Sequence, residues 1–574
     1  MINCLKTTAE TQSSGRIGVI CNALLTIAQF LGLLALMIVS SLALLTTVHL
    51  AHIEGRIYSE KTELSTVLTA AGQHEAAASI VCAVFLLAIL FLIWKCRIGS
   101  CKPWKLLVAV IVWAMIFQAL WIHSLNASSF VFPDTLQLSN AANALLSGDM
   151  SAFHNELSLD DKGTAIDFSS ANMSGPEGYF IMYPFQAGSL YVFACIYKLF
   201  GTNNFMAFQM TNAIANALTI ICLYWITCSL SASHKAQNLS IVLCGLCFPL
   251  FFSCTLVYGN SLGLLFSAAA IACTAHALRQ ASTKRCRLIF TALGFVSIVL
   301  AMLMKSTCVL FLIVMVILML IESARSRSVA LCAITLVCAL AAQQLSGMPT
   351  KILEGQTGGS FGDGMPKTSW IAMGLSNDNA LEIPGWWSLF PYNAMIETNG
   401  DASEQSRIAV QSIGQSIKQF TSDPAYGAWF FGVKLASEWS NPAFQTLYYS
   451  SLCTESDEAT QDYGKLANSV LFGNANPSAM LFMDAFQLLI VIAAFSFTAS
   501  QLRRDKTQAR KPITTLNALL PSVIALGFIV YLLWEAKAIY TLPFFVMMVP
   551  LAALQLDKLF GCLDKRLYQR QIQV

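Results

Sequence analysis

The sequence predicts an all-α polytopic membrane protein: a bundle of about 12–13 transmembrane helices with a mainly helical domain on one side. Three observations predict it. The 574 residues are 56% hydrophobic and only 11% charged, where soluble domains carry about 25% charged residues. Apolar stretches long enough to enter or cross about 30 Å of hydrocarbon recur along the chain, and mean hydropathy is +0.62. One long segment, 346–477, breaks the pattern with Gly-rich, acidic and aromatic stretches.

The apolar stretches lie near 18–48, 77–94, 105–125, 181–200, 206–230, 239–257, 260–278, 288–304, 306–321, 328–345, 478–499, 513–533 and 539–556. The first is longer than a signal-peptide core and reads as an anchor helix. Basic residues then sort the loops by side. Lys6 and Arg16, Lys95 to Lys105, Arg279 to Arg287, Arg325 and Arg327, Arg503 to Lys511, and Lys565 to Arg570 mark the cytoplasmic face. Both termini are therefore expected inside, with 126–180 and 346–477 outside. Seven candidate spans separate those two loops, and two loops on one side require an even number. One segment between 181 and 280 is expected not to cross, which leaves twelve crossings.

This reading divides the chain into additional N-terminal helices (1–104), a core module (105–345) with its outer loop 126–180, an outer domain (346–477) and a C-terminal membrane module (478–574). Within the outer domain, the spacing of Ile408, Ile413 and Ile417 predicts a helix over about 407–420. Asp423-Pro424 predicts the start of the next, with Asp as cap and Pro at the first helical position. Most of the 18 cysteines sit in apolar runs, where Cys acts as a small hydrophobe. Cys453 stands apart in a polar loop.

Several polar residues lie where membrane helices meet the outer surface. Asp134, after Phe132-Pro133, reads either as a proton acceptor for an attacking hydroxyl or as a helix cap. Asp149, after Gly148, carries the same two readings. Lys305 interrupts the apolar run Leu288 to Ile321 and marks either a functional cation or a turn between two helices. At the outer surface its natural partner is a phosphate oxygen; snorkelling is the alternative. Lys537, within Glu535-Ala536-Lys537-Ala538-Ile539-Tyr540, runs against the positive-inside bias, so an anion or a salt bridge is expected to hold it. Tyr540 fits an aromatic belt or a site. Asn260, after Tyr258-Gly259, fits either a sugar hydroxyl or a turn. Trp386-Trp387 offers sugar stacking or domain core.

The seven histidines form no HExxH pattern, and no Walker or dinucleotide fingerprint occurs. No basic, aromatic-interleaved surface points to nucleic acid. ATP or a soluble nucleotide donor therefore finds no support.

Taken together, several pieces resemble the multi-pass GT-C glycosyltransferases, within them bacterial family 39-like members related to protein O-mannosyltransferases and the aminoarabinose transferase of lipid A. The matching pieces are Pro133-Asp134, Leu146-Ser147-Gly148-Asp149, Tyr183-Pro184 with Gln186, Leu199-Phe200-Gly201, Tyr258-Gly259-Asn260, Lys305 and Glu535 through Pro543. In the outer domain they are Trp370 to Leu375, the Ile413-to-Phe420 helix, and Lys434 with Trp439 ahead of Pro442. Departures are the two additional leading spans, Thr135 where relatives carry a second acid, Lys537 where many carry Arg, and Asn260 where Asp is common.

The resemblance implies a GT-C-like bundle in a bacterial cytoplasmic membrane. It implies a polyprenyl-phosphate-linked sugar donor and an envelope glycan, lipid or protein acceptor, transferred with inversion. Asp134 would be the base and Lys305 and Lys537 the phosphate-binding cations. Asp149, Tyr183, Gln186, Tyr258, Asn260, Trp386, Trp387, Glu535 and Tyr540 would contact donor or acceptor. No cofactor is specified; the acids of 126–180 leave a divalent metal open. Two rival readings share the same features: a transporter or flippase of lipid-linked saccharides, and a non-catalytic scaffold for envelope assembly.

Overall fold

The computed structural model describes residues 16–50, 62–96, 101–126, 129–154, 175–279, 282–379, 382–453, 463–502 and 513–573. Lys6, Arg97, Arg503, Arg504, Lys506, Arg510 and Lys511, used above to assign sides, lie outside these residues. The described chain is a multi-pass helical bundle, as its composition requires. Among the described residues ten single helices are long and apolar enough to cross a membrane, or up to 13 if each of three bent pairs is one span.

The chain opens with α1 (Arg16–Leu45), α2 (Ala70–Lys95) and α3 (Pro103–Leu125). The first apolar stretch ends as a helix three residues before Val48. There the β-branched run Thr46-Thr47-Val48 passes into a strand, and β1 (Thr46–Leu50) pairs antiparallel with β2 (Thr62–Thr66), Val48 opposite Leu64. This ribbon corrects the sequence reading of 18–48 as one continuous helix.

Next come α4 (Pro133–Ser147), α5 (Pro176–Met182), α6 (Ala187–Phe200), α7 (Phe205–Leu230), α8 (His234–Gly245), α9 (Phe248–Phe252) and α10 (Asn260–Leu278). They identify the segment that does not cross. α6 has 14 residues, about 21 Å of helix, too short for about 30 Å of hydrocarbon. It is entered through a 108° bend after α5. Its far end returns to α4: Asn203 accepts from Ser139 Oγ at 3.0 Å and from Asn143 Nδ2 at 2.8 Å, and Ser139 also bonds the Tyr197 hydroxyl at 2.8 Å. α6 thus lies alongside the amphipathic α4 and stays at its end of the bundle.

α7 then runs to the opposite end. α8 and α9 return as one helix bent by 51°. The break coincides with Cys247-Phe248-Pro249, where proline cannot continue the backbone ladder. Carbonyls freed by a break inside a membrane need partners, and α7 supplies them from one face. Asn216 donates to Leu250 O at 2.7 Å, Asn212 to Cys254 O and Leu256 O at 3.1 and 2.8 Å, and Gln209 to Thr255 O at 3.1 Å. This polar ladder fixes the segment that leads into Tyr258.

After α10 come α11 (Lys284–Met304), α12 (Val309–Ser326) and α13 (Val329–Ser346). Six crossings, α7 to α13 with α8 and α9 counted as one, therefore connect the two loops, and the parity conflict disappears. The membrane part closes with α21 (Asn476–Leu502), α22 (Thr515–Leu533), α23 (Ala538–Val546) and α24 (Met548–Gln573), the last two bent by 44°. Polar contacts at the end opposite α4 agree with this path. Lys95 pairs with Asp564 at 3.2 Å, Ser233 and Trp94 both donate to Asp557, and Arg287 meets Glu322 at 3.3 Å. A membrane-impermeant maleimide, applied to a variant lacking exposed native thiols, is expected to label Thr202→Cys and Asp363→Cys from one side and Ala232→Cys from the other. Labelling of Thr202→Cys from the side of Ala232→Cys would make α6 a crossing.

Between α13 and α21 lies a helical layer: α14 (Met348–Thr357), α15 (Lys367–Gly374), α16 (Phe390–Glu397), α17 (Ala402–Ser422), α18 (Pro424–Trp439), α19 (Thr446–Ser450) and α20 (Lys465–Leu471). The two helices predicted there occur. Asp401 caps α17, accepting from Ser403 and Glu404 N–H groups, and Asp423 caps α18, accepting from Tyr426 N at 3.0 Å. Cys453 is buried and accepts from Gln209, and every described cysteine is a free thiol.

Candidate active site

A cavity of about 1620 Å³ opens between the site end of the bundle and the helical layer. Asp134 enters it from the first turn of α4, because Pro133 starts that helix at its N-terminus. The neighbouring Thr135 is fully buried and donates to Val257 O at 2.5 Å. Where a second acid was the expectation from resemblance, a hydroxyl instead ties α4 to the 256–259 segment. Thr135→Val is predicted to cost about 1–3 kcal/mol, the usual penalty for a lost buried hydrogen bond. Thermal unfolding of the purified protein measures it.

Lys305 stands at the turn between α11 and the 3-10 turn Ser306–Cys308. Two close approaches hold this turn in place. A Cβ on Gly259 would sit 2.0 Å from Met304 O, and one on Gly188 would sit 2.1 Å from Leu303 O; Ser189 Oγ donates to Met304 O at 2.9 Å. Only glycine permits such contacts. Lys305 Nζ lies 4.7 Å from the Tyr258 ring centre and 4.9 Å from that of Tyr540, within cation–π range.

Lys537 comes from the loop between α22 and α23. It pairs with Glu535 at 3.0 Å, both largely buried, and the Tyr540 hydroxyl donates to Glu535 at 3.1 Å. The salt bridge accounts for a lysine at this end of the bundle. Tyr258 connects the groups: its hydroxyl favours the charged form of Asp134 and accepts from Gln186 Nε2.

Charges in this cavity perturb one another. Enclosure raises the Asp134 carboxyl above the ordinary carboxylate range, while Lys537, Lys305 and the Tyr258 hydroxyl act in the opposite direction. Burial lowers the Lys305 ammonium to about 8, with Asp134 opposing that fall. Asp134 still keeps part of its surface on the cavity.

Of the residues singled out from the sequence, Asp134, Tyr183, Gln186, Tyr258, Asn260, Lys305, Trp387, Glu535, Lys537 and Tyr540 all line this cavity. Two do not. Asp149 lies outside it and caps the short turn Met150–Phe153, accepting from Ser151 at 3.1 Å. Trp386 is 2% exposed and packs in the helical layer, whereas Trp387 is 42% exposed and faces the cavity. Sequence reasoning missed Tyr179, Trp370 and Trp534, which also line it. Tyr179 stands one helical turn before Tyr183, a spacing that places both rings on one face. Trp370 and Trp534 stack across 164 positions of sequence, ring centres 6.1 Å apart, and no local signal predicts that.

Among the described residues, the acid that acts on Asp134 is Glu535, itself committed to Lys537. Among the described residues no three His, Cys, Asp or Glu side chains converge as a metal site. Glu156, Asp160, Asp161 and Asp167, the acids of 126–180 that left a divalent metal open, lie outside the described residues.

No family model matches the chain, and no curated protein matches it. Among solved structures, the oligosaccharyltransferase of Archaeoglobus fulgidus in its apo form aligns with a TM-score of 0.40 at 11% identity, over 81% of this chain and 52% of that one. The archaeal oligosaccharyltransferase AglB from the same organism, in complex with an inhibitory peptide and a dolichol-phosphate, aligns at 0.36 and 12%, over 80% and 51%. ArnT from Cupriavidus metallidurans bound to undecaprenyl phosphate aligns at 0.32 and 11%, over 79% and 77%. The chain spans about half the length of the oligosaccharyltransferase structures it matches.

Proposed function

We propose that this chain is a GT-C-like membrane glycosyltransferase that moves a sugar from a polyprenyl-phosphate donor to a cell-envelope acceptor. The reaction takes place at the bundle end that carries 126–180 and 346–477, which the distribution of basic residues makes extracytoplasmic. The observation that carries the reading is the convergence of Asp134, Lys305 and Lys537 on one cavity. A carboxylate that can accept a proton and two ammonium groups that can hold a phosphate are what this displacement needs.

In the proposed reaction the acceptor oxygen forms a bond to the anomeric carbon from one face. The bond from that carbon to the phosphate oxygen breaks on the other, with inversion. The acceptor proton passes to the Asp134 carboxylate. The bonding electrons leave with polyprenyl phosphate, whose developing negative charge meets Lys305 and Lys537. Cations already in place within a partly dry cleft stabilise that charge more than water would. Trp387 offers an aromatic face to a sugar ring, and the 346–477 layer, here assigned as the acceptor domain, covers the cleft.

Purified protein reconstituted with a polyprenyl-phosphate sugar and a candidate glycan tests the reading. Release of free polyprenyl phosphate with glycan extension is the expected result. Movement of donor between leaflets without transfer would instead identify a flippase, and neither outcome would leave a scaffold.

A further inference from the structure

The loop Trp534–Lys537 enters the cavity wall at the end of α22, and its backbone is held from outside the cavity. Lys434 on α18 is 0% exposed and, among the described residues, is not part of the cavity lining. Its Nζ donates to Gly374 O at 2.5 Å and to Trp534 O at 2.7 Å. Gly374 is the last residue of α15, and Trp534 caps α22. The ammonium therefore sits where the carbonyl-bearing ends of two helices meet, the place a helix dipole favours a cation.

Further bonds secure the same loop and the first turn of α23 to the same layer. Ala536 N donates to Gly385 O at 2.7 Å, Ile539 N to Gln445 Oε1 at 3.3 Å, and Thr541 Oγ1 to Glu438 O at 2.8 Å. Gly385 has φ +73°, and a Cβ there would lie 2.9 Å from Lys434 Cδ and Cε, so this turn is moulded on the lysine stem. Glu438, one turn further along α18 and itself buried, favours the charged form of Lys434, while burial pushes its own carboxyl well up. A fully buried ammonium carries a large desolvation cost unless its hydrogens are used; here they join two elements 160 residues apart in sequence.

We infer that Lys434 is a positioning residue: it fastens the Trp534–Lys537 loop to the 346–477 layer and thereby sets where Lys537 and Glu535 stand in the cavity wall. Its functional consequence rests on the reading of Lys537 as a phosphate-holding group, whereas the fastening itself stands on the geometry. The same ammonium holds Trp370 and Trp534 in register, because it bonds the end of the helix that carries the first and the carbonyl of the second. Any shift of the outer layer is then transmitted to the cation that grips the leaving phosphate.

The test uses the full chain in detergent, with undecaprenyl phosphate as the binding probe. Lys434→Met removes the ammonium, Lys434→Met with Glu438→Gln removes both buried titratable groups and guards against loss of folding, and Lys434→Arg is the conservative control. Amide hydrogen exchange in 534–541 is expected to rise about tenfold or more in the two Met variants, with exchange in α4 and α11 unchanged. Undecaprenyl phosphate is expected to bind about tenfold more weakly, and Lys434→Arg to restore part of both. Unchanged exchange in 534–541, or a rise spread evenly over the chain, overturns the inference. Unchanged binding in Lys537→Met would remove the phosphate role of Lys537 alone, and the exchange result still decides the role of Lys434.

Discussion

Asp134→Asn is expected to lower sugar transfer by about 10²–10⁴-fold, the range that a positioned general base contributes, while donor binding stays within about twofold of wild type on the same account. Asparagine keeps the shape of the side chain, and the Thr135 bond to Val257 O that fixes α4 is untouched. What it lacks is a site that takes up a proton. Single-turnover transfer with saturating donor separates the two effects; a wild-type rate would remove Asp134 from the chemistry. The pH profile adds a second check. A base works only when deprotonated, and enclosure raises the Asp134 carboxyl. Activity should therefore fall on the acid side at a pH above the ordinary carboxylate range, since protonation begins earlier as pH drops.

The second large effect is expected at Lys305. Lys305→Met keeps the length of the stem and its contacts with the Tyr258 and Tyr540 rings but deletes the charge. Loss of one preorganised electrostatic contact to developing charge costs about 10²–10³-fold in rate, and weaker binding of polyprenyl phosphate should accompany it. The sign of the pH effect follows from the same residue. Lys305 is charged below its lowered value of about 8 and neutral above it, so kcat/KM of the wild type should decline as pH rises through that value. In Lys305→Met that alkaline limb should vanish. The acid limb should move upward, because one of the cations that holds the Asp134 carboxyl down is gone. An unchanged alkaline limb would show that Lys305 does not govern it.

The parts legible in the sequence were those set by local rules. Pro133 and Asp134 announce a helix start, Asp423-Pro424 announces another, and Lys305 stands out because a charge inside an apolar run needs a reason. The odd count of spans was legible too, but not which one failed to cross. α6 has the apolar composition of a span, and only the return of Asn203 to Ser139 and Asn143 shows where it ends. Neighbouring tryptophans could not be told apart either: Trp386 and Trp387 share composition and context, yet one packs inward and the other faces the cavity. Lys434 shows the limit most clearly. Its partners lie 60 and 100 positions away, and nothing in the local sequence marks its ammonium as buried.

Residues 134, 305 and 537 reach the wall of the cleft from each third of the chain. A ribosome delivers them in that order. The aspartate is inserted early and the first lysine midway, while the second lysine arrives only with the last turn between spans. Until that final hairpin is threaded, a nascent protein holds its carboxylate opposite an incomplete pair of ammonium groups, so on the proposed reading premature release anywhere before residue 537 yields a membrane-embedded but silent product.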